Sequence, residues 1–158
     1  SGLKLVEYDN NYKEIFIPYN VPSLKNSKVK TSRGIFASKT VKKYLTALGI
    51  QKYSSSKKEV VGYAKRPNLF KEIVEKQFKE LIEGRDTPYL IGFHFVRDSK
   101  RDFDFNNATQ IIQDLLVAHN VIEDDCCRIM IPLPYMKNGK FYTIDKSNPG
   151  VYITIINY

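Results

Sequence analysis

The sequence predicts a small α+β domain (α/β only in the loose sense): a mixed sheet of about four to five strands with helices packed on it. Three observations predict it. Short apolar runs rich in Ile, Val, Phe and Tyr stop at Pro, Gly or Asn, as strands do. Longer segments repeat apolar residues at helical spacing. The two kinds interleave without a regular repeat, and no G-x-G-x-x-G or P-loop motif is present. A length of 158 residues with 42% hydrophobic content suits one domain, 1–158, with a real core.

In chain order, 13–19 (KEIFIPY) reads as a strand ended by Pro18 and Pro22. Residues 21–38 form a basic loop or loose hairpin with Gly34 near its bend. Ser38 suits an N-cap, and 39–49 a short helix stopped by Gly49. Residues 51–59 carry serines and lysines with no apolar period, so the region 51–66 reads as a mobile basic surface loop. Pro67 fits the first turn of a second helix, along which Phe70, Ile73, Val74, Phe78, Leu81 and Ile82 recur until Gly84. Strands follow at 88–97 and 127–134, with a helix from Asn107 to His119 between them. Segments 139–144 and 151–158 complete the sheet, with turns at 137–139 and 148–150.

Lys and Arg number 25 against 17 Asp and Glu, a net charge of +8. Such a field favours polyanions, nucleic acid first; the plainer alternative is a solvated basic surface. No apolar run approaches the ~20 residues that span a bilayer, so no membrane is expected. No signal-peptide pattern is visible, which makes the cytoplasm the expected compartment. Cys126 and Cys127 are adjacent and do not suggest a disulfide, and with His94 and His119 they lack zinc-ligand spacing. A Cys–His nucleophile is possible arithmetically, but these cysteines open a predicted buried strand, where a small apolar role is commoner.

Against that positive background, residues 101–125 gather carboxylates: Asp102 and Asp104 before the helix, Asp114 on it, and Asp124 and Asp125 after it. On the helix, Ala108, Ile111, Ile112, Leu115 and Leu116 share a core face, and Asn107, Gln110 and Asp114 share another. If strands 88–97 and 127–132 are neighbours, the two acidic groups can converge near one sheet edge. Converging carboxylates repel unless a cation neutralises them, and Mg²⁺ bound by oxygens can activate water against phosphorus. The plainer alternatives are that Asp104 or Asn106 caps the helix and that Asp124-Asp125 is an ordinary turn.

The segment resembles the RusA-type Holliday-junction resolvases, dimeric endonucleases of bacteria and their phages. That family carries a basic run, then Asp-x-Asp-Asn, a helix with a lysine and an aspartate, and a hydrophobic approach to Asp-Asp and a strand. Here Lys100-Arg101, Asp114, the stretch 117–123 and Asp124-Asp125 follow that order. The N-terminal 17–45 is similar to the family's strand, Pro-Ser-x-Asn-like loop, second strand and helix, with Pro22-Ser23, Lys25-Asn26 and Ser38 in matching places. The C-terminal strands are similar as well, whereas 50–66 has no counterpart. Aligned without gaps, the family's two aspartates fall on Asp104 and Asn106, its asparagine on Asn107 and its lysine on Gln110. The other register pairs Asp102 with Asp104 but puts Phe105 where asparagine is expected.

The resemblance implies an endodeoxyribonuclease that cuts four-way junctions in recombination and repair, active as a homodimer with Mg²⁺ (Mn²⁺ as a substitute). Asp104 and Asp125 would be the main catalytic ligands, Asp102 would restore the charge that Asn106 removes, and Asp114 would support the metal. Lys25, Asn26, Lys28, Lys30, Arg33, Lys100, Arg101 and Gln110 would contact DNA. Tyr19, Tyr44 and Tyr53 could stack on bases or pack. Exchanging Asp for Asn at 106 leaves a second reading open, a weakened or inactive nuclease that still binds branched DNA. A third is an interaction protein that is basic by chance.

Overall fold

The computed structural model describes residues 13–23, 28–32 and 34–156. Its central sheet has five strands: β1 (Ile15–Pro18), β6 (Tyr89–Arg97), β7 (Met130–Pro134), β8 (Thr143–Ile144) and β9 (Gly150–Ile155). The order is β1-β9-β6-β7, with β8 beside the far end of β6. β9 runs antiparallel to β1 and β6, while β7 and β8 run parallel to β6. The sheet is mixed, as the sequence predicts. β6 is buried along nearly its whole length because it has a neighbour on each side, which explains its continuous apolar run.

Among the described residues three helices accompany the sheet: α1 (Lys39–Ala47), α2 (Leu69–Ile82) and α3 (Phe105–Ala118). Each begins on a side-chain oxygen that satisfies an otherwise unpaired backbone N–H. Ser38 Oγ accepts from Val41 N at 3.3 Å, Asn68 Oδ1 from Lys71 N at 3.0 Å, and Asp104 Oδ1 from Asn107 N at 3.1 Å. Pro67 therefore sits just ahead of the α2 cap rather than in its first turn. Gly49 ends α1 at φ +83°, and a Cβ there would lie 1.9 Å from the Pro67 carbonyl oxygen. Only glycine allows both that backbone conformation and that approach.

One core joins all three helices to the sheet. Phe70, Val74 and Phe78 of α2, Ile112, Leu115 and Leu116 of α3, and Phe93, Ile91 and Ile153 of the sheet are fully buried in it. The predicted apolar face of α3 is the face that packs.

Two hairpins flank this body. β2 (Lys28–Thr31) pairs antiparallel with β3 (Gly34–Ala37), so these two stretches of the basic 21–38 segment are hairpin strands. The second corrects the expected loop: within 51–66 the chain forms β4 (Ile50–Ser54) and β5 (Glu59–Gly62), joined at a tight turn. Its strands escape a hydrophobicity pattern because most of their residues face solvent. Ile50, at the base of β4, is buried in the core, and the cross-strand pair Tyr53 and Val60 leans on it. Two other boundaries move: the 127–134 strand begins only at Met130, and of 139–144 only Thr143 and Ile144 pair, along Val96 and Arg97.

Candidate functional site on helix α3

β6, α3 and β7 form a strand–helix–strand crossover, the connection that two parallel strands require. The crossover makes the strands at 88–97 and 127–134 neighbours, the condition on which convergence of the acidic groups depended. The decisive movement, however, is made by the return segment. Asn120 adopts φ +59°, and Val121 N donates to Leu116 O at 2.9 Å, turning the chain back along the helix it has left. That reversal carries Asp125 beside Gln110, fifteen residues earlier.

There, Gln110 Nε2 donates to Asp114 Oδ1 and to Asp125 Oδ2, each at 2.8 Å. Both amide N–H bonds are thereby used. The opposite amide orientation would put a carbonyl oxygen against two carboxylates, so the donor assignment follows from charge. Asp114 lies one turn from Gln110 on the predicted polar face, and Asp125 completes the group from outside the helix. Two carboxylates sharing one nitrogen repel by on the order of 3 kcal/mol at an effective dielectric near 20. Two hydrogen bonds to charged acceptors, about 1.5–3 kcal/mol each, offset that repulsion. The result is a pair of anions held in place by a neutral donor.

Asp124 does something different from its neighbour. Its carboxylate accepts from Asp125 N at 2.8 Å, and that backbone N–H holds its pKa below the usual carboxylate range. Of the two adjacent aspartates, one shapes the turn and the other joins the site. Tyr53, from β4, is half-buried, and its hydroxyl is pushed up to about 12, first by burial and then by the Asp114 charge. The hairpin that was expected to be a loop thus borders the acidic face.

At the helix start, Asp104 is exposed and caps α3 through Oδ1. About 9 Å of helix axis separates this cap from Gln110. Asp102 is exposed in the segment before it. Among the described residues, no group of three or more His, Cys, Asp or Glu side chains comes together in a way that could hold a metal ion. The carboxylates expected to share Mg²⁺ form a pair at Gln110 and a separate stretch at 102–104, so as arranged they do not fit a complete site for it.

The N-terminal loop reaches the same helix end. Arg97 Nη1 donates to Val21 O, Asp98 N donates to Asn20 Oδ1 at 3.0 Å, and Asn107 Nδ2 donates to Ser23 O at 3.4 Å. Arg97 is buried, with its guanidinium 4.5 Å from the Phe103 ring centre. These contacts tie Pro22-Ser23, where the basic hairpin begins, to the start of α3. Arg97, Asn20 and Phe103 were not foreseen as part of the site. A charged residue ending a strand that is apolar but for His94 was the signal available for Arg97.

Of the remaining expected DNA contacts, Lys100 and Arg101 are exposed between β6 and α3. Lys28 and Lys30 lie on β2, where only their backbone is described, in register with Ala37 and Ile35. Lys25, Asn26 and Arg33 lie outside the described residues. Tyr44 is only 4% exposed, which removes it as a stacking candidate, whereas Tyr19 is exposed. His94 is buried between the Tyr135 carbonyl, 3.1 Å from Nδ1, and the Thr143 hydroxyl, 3.2 Å from Nε2, a packing position. No helix among the described residues is long and apolar enough to cross a membrane.

Comparison with models of protein families, with curated proteins and with solved structures finds no match for this chain.

Proposed function

We propose that this chain is a structure-specific DNA endonuclease, of the type its acidic segment resembles, acting on four-way or otherwise branched DNA as a homodimer. The observation that supports it is the meeting of Asp125 with Asp114 across Gln110, on the helix that Asp104 caps and the basic hairpin's root touches. Two carboxylates meet at Gln110, with Asp102 and Asp104 at the start of the same helix, in a molecule whose net charge is +8. Basic residues at its margins, Lys100 and Arg101 among them, would bind phosphates, while the carboxylates stand where a scissile phosphate would be handled.

Mg²⁺ is commonly held by one or two carboxylates together with substrate phosphates. Asp125 and Asp114 would therefore contribute the protein ligands and the DNA the rest, and the ion would supply charge neutralisation and an activated water. Asp104 commits one oxygen, Oδ1, to its cap, a bond worth about 1 kcal/mol, which a divalent ion could outcompete. Gln110 holds Asp125 and Asp114 as one unit and would keep both carboxylates oriented before DNA arrives. Two symmetric cuts require two such faces, hence the dimer.

A second reading, binding of branched DNA without cleavage, has its own support. Three carboxylates do not form one group, and an amide stands at both Asn106 and Gln110, where the resembled family has an aspartate and a lysine.

One experiment separates them. An end-labelled four-way junction and a linear duplex are incubated with the protein in Mg²⁺, Mn²⁺ and EDTA. Paired, metal-dependent cuts in the junction that drop at least a hundredfold in Asp125→Asn support the nuclease. Tight junction binding with no product in either metal selects the binding protein, and equal affinity for junction and duplex rejects both.

A further inference from the structure

We propose that Phe141 and Tyr142 form a stacking platform for unpaired bases of DNA, next to the acidic 102–104 segment. The proposal rests on the DNA-binding reading above and names the part of the DNA that this second surface takes.

Among the described residues, Phe141 (53% exposed), Tyr142 (51%) and Ile144 (45%) are the most exposed large hydrophobic side chains, and they fall within four positions. Exposed aromatic residues side by side call for a reason, since each forgoes burial of a large apolar surface. Their backbone is firmly held. Upstream, Lys137 and Lys140 exchange two backbone hydrogen bonds, at 2.9 and 3.1 Å, around Asn138 and Gly139, both at positive φ. That is the tight hairpin turn an Asn-Gly pair favours. Downstream, Thr143 and Ile144 pair with Val96 and Arg97 of β6.

Tyr142 also has rigid backing. Its ring meets Phe103 edge-on, with 5.1 Å between centroids, and Phe103 meets the buried Phe95 at 5.8 Å. Phe103 itself lies between Asp102 and Asp104. A base on Tyr142 would therefore place its flanking phosphate near the start of α3.

The surrounding charge selects the occupant. Lys140, Lys146, Lys100 and Arg101 are exposed, and among the described residues none of them joins an ion pair. Asp145, the nearest acid in sequence to the platform, is turned onto Ser147, whose N and Oγ it accepts at 3.0 and 2.7 Å. Aromatic faces framed by uncommitted cations match a single strand, whose bases stack while its phosphates meet lysine and arginine.

Fluorescence anisotropy with labelled (dT)20, a duplex of equal length and a four-way junction tests this on the full chain. The variants are Phe141→Ala/Tyr142→Ala and the conservative Phe141→Tyr/Tyr142→Phe. The expected result is a loss of about tenfold or more for (dT)20 in the alanine variant, duplex affinity within about twofold, and full retention in the conservative variant. Unchanged (dT)20 binding by a folded alanine variant overturns the platform alone. Equal loss for duplex does so too, since duplex offers no unpaired base. Retained (dT)20 binding with a dimer-to-monomer change in sedimentation would reassign the patch to a second copy. A wild-type chain that binds none of the three DNAs overturns both this proposal and the reading beneath it.

Discussion

The two ends of α3 are built from similar material and left in opposite states. At the C-terminal end, His119 is tied on both ring nitrogens: Nδ1 lies 2.7 Å from the Leu115 carbonyl and Nε2 2.9 Å from the Asn68 amide nitrogen. Nδ1 therefore carries the proton, Nε2 accepts, and the ring packs against Phe70 at 4.7 Å. Asn68 at the same time caps α2, so this end locks two helices together. At the N-terminal end, Asp104 is exposed, caps only its own helix and is followed along one face by Asn107, Gln110 and Asp114. At the locked end the polar groups bridge two helices, whereas at the open end Asp104 and Gln110 stay exposed and bond within α3 and to its return segment. A helix can be anchored at one terminus and present chemistry at the other because rigidity travels along its hydrogen bonds.

The contrast can be broken most forcefully at His119. His119→Ala removes two hydrogen bonds and the contact with Phe70, and should cost about 2–3 kcal/mol in urea denaturation. Junction binding by the folded fraction should remain. A loss below about 0.5 kcal/mol would mean that this end is not the anchor.

Acidification probes the same end without mutation. Burial holds both His119 and His94 below the ordinary histidine value of 6.5. Below about 6.5 the unfolded chain takes up protons that the folded chain refuses. Stability is therefore complete above that pH and falls as pH drops through it, levelling off once the folded histidines titrate. The midpoint of urea unfolding, followed from pH 7.5 to 5, should decline, and His119→Ala should flatten the decline. A rising midpoint would contradict the assigned neutral ring.

The smallest effect sharpens the open end. Asp104→Ala should cost about 1 kcal/mol by removing the cap, whereas Asp104→Asn should cost almost nothing because Asn caps as well. If Asp104 also serves the chemistry, both variants lose junction cleavage equally despite their different stabilities. Cleavage that instead follows stability would confine Asp104 to capping.

Much of this architecture is legible in local pattern. The spacing of Ile111, Ile112, Leu115 and Leu116 marks the apolar face on which α3 packs, and Thr109, Gln113 and Val117, also buried, widen that side beyond what the spacing shows. The caps at Ser38 and Asp104 and the end of α1 at Gly49 are equally local, since they depend on one residue's side chain or φ. The β4–β5 hairpin was not legible: it buries too little to leave a hydrophobic period, and Ile50, fully buried, with the pair Tyr53 and Val60 ties it to the core.

The site divides in the same way. Asn107, Gln110 and Asp114 share a face by helical geometry alone, and the sequence by itself determined that a carboxylate and an amide would stand there together. The resemblance already singled out Asp125, but only the tertiary structure decided that it meets Gln110 and Asp114 while Asp124 is spent on the turn. That choice depends on a chain reversal at Asn120 and on which carboxylate the turn consumes. It also set Tyr142 against Phe103, thirty-nine residues earlier, through the pairing of β8 with β6. Helical and capping signals act within a few residues and are written in their order. Contacts between distant segments come from the strand order and the path of the loops, which no local spacing encodes.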